Sequence, residues 1–107
     1  MTGVQLRLLN KMKSLIKQGK MRFEDDRPDR DYQEDLFEIG ITEHDAWFKY
    51  ILYLSSYDYI PDYRPTYRKS GDGLTFKKLI NNKSVYIKLK LEEDMTVCLS
   101  FHKDNWR

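Results

Sequence analysis

Three side chains in the C-terminal third of this sequence have the chemistry to act together on a phosphate group: Lys77, Tyr86 and His102. A lysine neutralises the charge that builds on phosphate in a transition state. A histidine titrates near neutral pH and transfers protons. A tyrosine donates a hydrogen bond or stacks on a nucleobase. These are the groups that a metal-independent ribonuclease needs to deprotonate a ribose 2′-hydroxyl and to protonate the leaving 5′-oxygen.

Strand periodicity predicts how these groups meet. The pattern indicates three strands, Leu74–Ile80, Ser84–Glu92 and Thr96–Lys103, because side chains alternate between two faces along each of them. A turn at residues 93–95 pairs Glu92 with Thr96. That register puts the apolar residues of both strands on one face, whereas a slip by one residue would bury lysines. The expected core pairs are Leu91 with Val97, Leu89 with Leu99, and Ile87 with Phe101.

The same register collects polar residues on the opposite face of the predicted sheet. Tyr86 lies opposite His102, and Lys88 lies opposite Ser100, with Cβ atoms about 5 Å apart in such pairs. A first hairpin that pairs Ile80 with Val85 and Phe76 with Leu89 adds Lys77. The predicted polar face therefore holds Lys77, Tyr86, Lys88, Lys90, Ser100 and His102. A simpler interpretation is a solvated face, since one side of an antiparallel sheet often faces water.

A second group of candidates lies in a predicted loop over residues 57–73. Two prolines and two glycines forbid regular structure there, and four tyrosines accompany Arg64 and Arg68. Long loops are often functional. The predicted substrate-binding residues are therefore these two arginines of the loop, together with Lys88 and Lys90 of the predicted sheet. Alternatively, the tyrosines pack on the domain, or they anchor a subunit interface.

The elements before this loop are predicted to be helical. An amphipathic helix over residues 4–18, with a stripe that includes Val4 and Met12, ends at Gly19. A short strand at residues 21–23 and a helix over residues 32–39 follow, and Thr42 caps a further helix that stops near residue 55. The sequence thus predicts an α+β fold, with N-terminal helices packed on a C-terminal antiparallel sheet of three or more strands.

Length and composition narrow the class of protein. A chain of 107 residues is enough for one domain, predicted over residues 1–107. A single cysteine, Cys98, and no signal-like segment favour a cytoplasmic protein, and no apolar run is long enough for a membrane span. No Cys/His spacing indicates a metal site, so neither metal nor cofactor is expected.

Charge is segregated along the chain although the net charge is only +2. Residues 1–23 hold six basic and no acidic residues, and residues 24–45 hold ten acidic and two basic residues. Such asymmetry is typical of proteins with a nucleic-acid partner, but the acidic block could equally be solvated surface.

Two segments resemble a known family. SVYIKLKLE at residues 84–92 and VCLSFHK at residues 97–103 are similar to the end of the MqsR family of bacterial type II toxins. The order of elements upstream, through residues 37–45, 51–59 and 74–77, also fits this family. The resemblance implies a RelE-like fold and an endoribonuclease that cleaves mRNA, with an antitoxin protein as partner, possible ribosome dependence and no membrane partner.

The resemblance also implies roles for individual residues. Tyr86 matches the family's RNA-contacting sheet tyrosine, Lys77 a polar active-site residue after an aromatic one, and His102 a lysine or histidine after a Ser-Phe pair. One departure is that Ile60 and Pro61 follow Tyr57-Asp58-Tyr59, where family members can place a functional lysine. This difference leaves open a non-catalytic binding module of the same fold, acting through a protein or nucleic-acid partner.

Overall fold

A computed structural model describes residues 1–24, 31–61 and 73–104. The elements run in the order α1 Gly3–Lys17, β1 Met21–Phe23, α2 Tyr32–Ile39, α3 Glu43–Asp45, β2 Gly73–Ile80, β3 Lys83–Glu92 and β4 Met95–Lys103. Within the described ranges, none of the helices has the length and apolarity needed to cross a membrane.

Helix α1 begins and ends with side-chain and glycine caps. Thr2 accepts a hydrogen bond from the backbone of Gln5, and the Gln5 side chain accepts one from Thr2 in return. Gly19 takes a left-handed φ of 78°, which lets the chain turn back over the last helical carbonyls. The buried stripe is Leu9, Met12, Leu15 and Ile16, so the predicted stripe is wrong at its start, where Val4 is 68% exposed.

Helix α2 has the bounds that the sequence predicts, Tyr32 to Ile39, and Gly40 ends it at φ 90°. Thr42 caps α3 through a hydrogen bond from the Asp45 amide, also as predicted. The chain then widens into a π-helical turn over Ala46–Tyr50 and tightens into a 3₁₀ turn over Ile51–Tyr53. These wider and tighter turns together bury Ala46, Trp47 and Ile51 on the core side.

The four strands form one mixed sheet in the order β1-β4-β3-β2. The two hairpins are antiparallel, as predicted, and β1 adds a parallel edge to β4. Helices α1 and α2 both pack on β4, which places the core between the helices and one face of the sheet. The α+β class and the helices-on-sheet arrangement are therefore confirmed.

The first hairpin turns more tightly than the predicted pairing requires. Ile80 pairs with Lys83 and Phe76 pairs with Ile87, so the loop is the two residues Asn81 and Asn82, both with positive φ. Asparagine tolerates this left-handed conformation better than most residues, which explains the tight turn. The shift is by two positions, so every side chain stays on its predicted face.

The pairing of the second hairpin differs from the prediction in the half that lies next to the turn. Ile87 pairs with Phe101 and Tyr86 with His102, as expected, but the turn is only Glu93-Asp94, and Leu89 pairs with Cys98 instead of Leu99. A β-bulge at Leu99 absorbs the one-residue difference. As a result, Cys98 and not Leu99 joins the core cluster, which reverses the faces predicted for residues 96–99.

Candidate functional site

A row of three polar side chains crosses the sheet on the face away from the helices. Lys77 on β2 pairs with Tyr86 on β3, and Tyr86 pairs with His102 on β4. The rings of Tyr86 and His102 lie nearly parallel, with centroids 5.4 Å apart and an interplanar angle of 26°. The structure therefore brings together the three residues that the sequence analysis named as catalytic candidates.

The backbone determines which nitrogen of His102 carries its proton. The Nδ1 atom lies 2.8 Å from the carbonyl oxygen of Lys103. A carbonyl can only accept a hydrogen bond, so Nδ1 must be the donor. In the neutral ring Nε2 is then unprotonated, and its lone pair can accept a proton, as a general base requires.

Asp104 is a further residue of this cluster, and it is not among the residues predicted from the sequence. Its carboxylate Oδ2 lies 2.7 Å from the ammonium Nζ of Lys77, and its side chain is only 5% exposed. Asp104 follows His102 by two positions, so strand alternation continued past β4 places both on one face. That spacing was the available signal, but the predicted strand ended at Lys103.

The other predicted lysines lie further along the same face. Lys88 pairs with Thr75 and Ser100, and Lys90 pairs with Val97, one and two rows away from Tyr86 at about 7 Å per row. Lys90 contacts Glu92 at 3.3 Å. The predicted substrate-binding lysines thus lie on the same face as Tyr86, but outside the row of Lys77, Tyr86 and His102.

The face is less cationic than its lysine content suggests. Arg22 on β1 contacts Glu24 at 3.4 Å and Glu92 at 3.6 Å, and Lys77 contacts Asp104. These ion pairs offset the attraction of the cations for a phosphate chain. A ligand on this face therefore meets alternating charges.

The middle of this face is buried, contrary to the expectation of an open polar surface. Thr75 is 4% exposed and Ser100 is 8% exposed, and Val97 and Leu99 are also buried. The bulge at Leu99 turns these two apolar residues away from the main core cluster. Among the described polar residues of this face, Lys77 is exposed, and Tyr86, Lys88, Lys90 and His102 are half-buried.

The segment 55–60 lies along the edge of β2. The Ile60 amide donates to the Thr75 carbonyl at 2.8 Å, and the Lys77 amide donates to the Asp58 carbonyl at 2.9 Å. Asp58 also contacts the Lys78 ammonium at 3.5 Å and accepts a hydrogen bond from the Ser55 amide. These bonds fix the backbone of Lys77 from the outer side of the sheet.

The tyrosines of this segment behave differently from one another. Tyr59 packs edge-on against Phe76, and its hydroxyl accepts a hydrogen bond from the Gln5 side chain at 2.8 Å. Tyr57 is 97% exposed. Arg64 and Arg68, the predicted phosphate contacts of this loop, lie outside the described residues.

Two titratable groups near the core have shifted pKa values. Burial lowers the pKa of Lys13, whose ammonium donates to the Leu54 carbonyl, and nearby Lys17 lowers it further while Asp58 opposes the shift. Burial raises the pKa of the Cys98 thiol, which donates to the Ser100 carbonyl. Both groups have structural contacts and neither belongs to the row of Lys77, Tyr86 and His102.

No family model matches this chain, and no curated protein matches it as a relative. The chemistry of the site therefore rests on its own residues.

Proposed function

We propose that this protein is an endoribonuclease of the toxin type that the sequence resembles, and that it cleaves mRNA on the row of Lys77, Tyr86 and His102. The observation that carries the proposal is the alignment of an ammonium, a phenol and an imidazole across three adjacent strands. Each of these groups has a role in attack by a 2′-hydroxyl on the neighbouring phosphate.

The proposed reaction starts at His102. Its Nε2 atom takes the proton from the ribose 2′-hydroxyl, and the 2′-oxygen forms a bond to phosphorus. Lys77 donates a hydrogen bond to the phosphoryl oxygens, where negative charge builds. Tyr86 donates its phenolic proton to the 5′-oxygen as the P–O5′ bond breaks. The products are a 2′,3′-cyclic phosphate and a 5′-hydroxyl, and proton transfer from His102 back to Tyr86 restores both groups.

The ring stack of Tyr86 and His102 supports these roles. Two nearly parallel rings 5.4 Å apart hold the proton acceptor and the proton donor side by side. General acid and general base groups each contribute about 10²- to 10⁴-fold to a rate. His102→Ala and Tyr86→Phe are therefore each expected to lower the cleavage rate by about 10²-fold or more.

The test uses purified protein, a labelled RNA oligonucleotide and a matching strand with a single 2′-deoxy nucleotide at the cleavage position. Cleavage of the RNA should persist in EDTA and yield a cyclic phosphate, and the 2′-deoxy strand should stay intact. Lys49→Ala is a matched control, because this exposed lysine contacts Tyr50 and lies outside the row. Equal cleavage by wild type and the His102→Ala, Tyr86→Phe double variant would refute the proposed site.

A second function is favoured by the ion pairs of the same face. Lys77, Lys90 and Arg22 each contact a carboxylate, which weakens the attraction of RNA. A non-catalytic module that binds a protein or nucleic-acid partner would need no free phosphate site. Intact RNA after prolonged incubation, together with a stable complex between the purified protein and one defined partner, would favour this function over the nuclease.

A further inference from the structure

We propose that Asp104 is a positioning residue, which holds the Lys77 ammonium in place beside the row of Tyr86 and His102. The inference rests on the proposed function of this row, and it assigns Asp104 no contact with RNA. Its carboxylate meets the Lys77 Nζ atom at 2.7 Å, the distance of a strong charge-assisted hydrogen bond.

The two partners are not equally fixed. The backbone amide of Asp104 donates to the Ser84 carbonyl at 2.8 Å, which extends the β3–β4 ladder by one residue. The Asp104 side chain is 5% exposed, whereas the Lys77 side chain is 46% exposed. Asp104 is therefore the anchored member, and the long lysine stem is the member whose position needs fixing.

The position of the Asp104 carboxylate determines the direction in which the Lys77 side chain extends. Asp104, on the chain after β4, lies opposite Ser84 of β3, and Lys77 on β2 lies opposite Tyr86 of β3, so the two residues are on opposite sides of this strand. An ammonium drawn toward Asp104 is drawn inward across β3. Without the carboxylate, the stem of Lys77 is free to extend from the sheet into solvent.

Charge decides which kinetic constant should change. The Asp104–Lys77 pair carries no net charge, so Lys77 adds little to long-range attraction of RNA. Its contribution is a local hydrogen bond that matters when charge builds on the phosphate. Loss of positioning should therefore lower kcat without raising KM.

The experiment compares Asp104→Ala and Asp104→Asn with Glu38→Ala and Glu38→Gln. Glu38 is a matched control because it pairs with Lys103 at 3.7 Å, and its side chain is 58% exposed. Asp104→Ala should lower kcat by about 10- to 100-fold, as expected for a misplaced catalytic group. Asp104→Asn keeps an oxygen acceptor and should recover part of this loss, and neither Glu38 variant should change kcat.

A second measurement does not need cleavage. The order parameter of the Lys77 Cε–H bonds, from ¹³C relaxation, should fall in Asp104→Ala and stay unchanged in the Glu38 variants. An unchanged order parameter would overturn the inference. So would an unchanged kcat combined with tighter RNA binding, because Asp104 would then only screen Lys77.

These readouts also separate this inference from the proposed function. If the wild-type protein leaves RNA intact, the nuclease proposal fails, and the order parameter alone decides whether Asp104 positions Lys77. If Asp104→Ala does not fold, as judged by circular dichroism, Asp104→Asn decides both measurements with Glu38→Gln as its control.

Discussion

The buried thiol of Cys98 should make the stability of this protein fall at alkaline pH. Cys98 lies in the core, 1% exposed, and burial raises its pKa above the ordinary value of 9.0. In the unfolded chain the thiol ionises near that ordinary value. The folded state thus holds its proton more tightly, so the stabilisation is complete at neutral pH and is lost as the pH rises above 9.0.

The size of the effect follows from proton linkage. At pH 10 the unfolded thiol is one pH unit above its pKa of 9.0, whereas the folded thiol remains protonated. Ionisation then stabilises the unfolded state by about 1 kcal/mol relative to pH 7, and the effect grows as the pH rises further. This is a sizeable part of the ~5–15 kcal/mol that holds a domain folded.

Urea unfolding of wild type and Cys98→Ala at pH 7, 9 and 10 tests this prediction. Lysines and tyrosines also titrate in this range, but they are common to both proteins and cancel in the difference. The alanine variant leaves a small cavity whose cost does not depend on pH. The stability advantage of wild type over Cys98→Ala should shrink by about 1 kcal/mol between pH 7 and pH 10. A constant difference would show that the core accommodates the thiolate and that burial does not hold the proton on Cys98.

Three further substitutions test local features by the same urea titration. Thr96→Val removes the buried hydroxyl that donates to the Met12 carbonyl at 2.9 Å, and should cost about 1 kcal/mol, whereas Thr96→Ser should keep that bond. Gly40→Ala should cost about 1 kcal/mol or more, because φ is 90° there and the new Cβ meets Asn81 at 3.4 Å; a neutral result would contradict the left-handed cap. Glu93→Gly should stabilise the second hairpin by up to about 1 kcal/mol, because Glu93 has a φ of 55°, and a loss of stability would contradict that turn.

Local signals predicted the helices and the faces of β2 well. Helix α2 was predictable because Gly40 marks its end, and the structure adds that Asp31 caps its start. The face of Lys77 was also predictable, even though the pairing of the first hairpin was wrong, because an error of two positions preserves strand alternation.

The bulge at Leu99 could not be predicted in the same way. Both Val97 and Leu99 are apolar, so regular alternation through them predicted a core face that Cys98 and Thr96 occupy instead. A two-residue turn at Glu93-Asp94 offers no glycine to signal it. The burial of Thr75 on the polar face was missed for a related reason, because alternation predicts faces and not what covers them.

The row of Lys77, Tyr86 and His102 was predictable because Tyr86 and His102 pair on the side of the bulge away from the β3–β4 turn, where the predicted register is correct. Asp104 was missed because the predicted strand ended at Lys103, and because strand alternation gives the face of a residue but does not link it to a lysine 27 positions earlier in the chain. Contacts between distant positions depend on the pairing of strands, which the sequence specifies only through the hydrophobic pattern.

The position of β4 in the sheet has a consequence for synthesis on the ribosome. β4 lies between β1 and β3, and it is the partner of β1 and the packing surface of α1 and α2. Strand β1 therefore cannot pair until residues 96–98, which are its partners, have emerged from the exit tunnel. Until then the apolar side of α1 has no sheet to cover it, so nascent chains stalled before β4 should be the species that chaperones bind and proteases degrade.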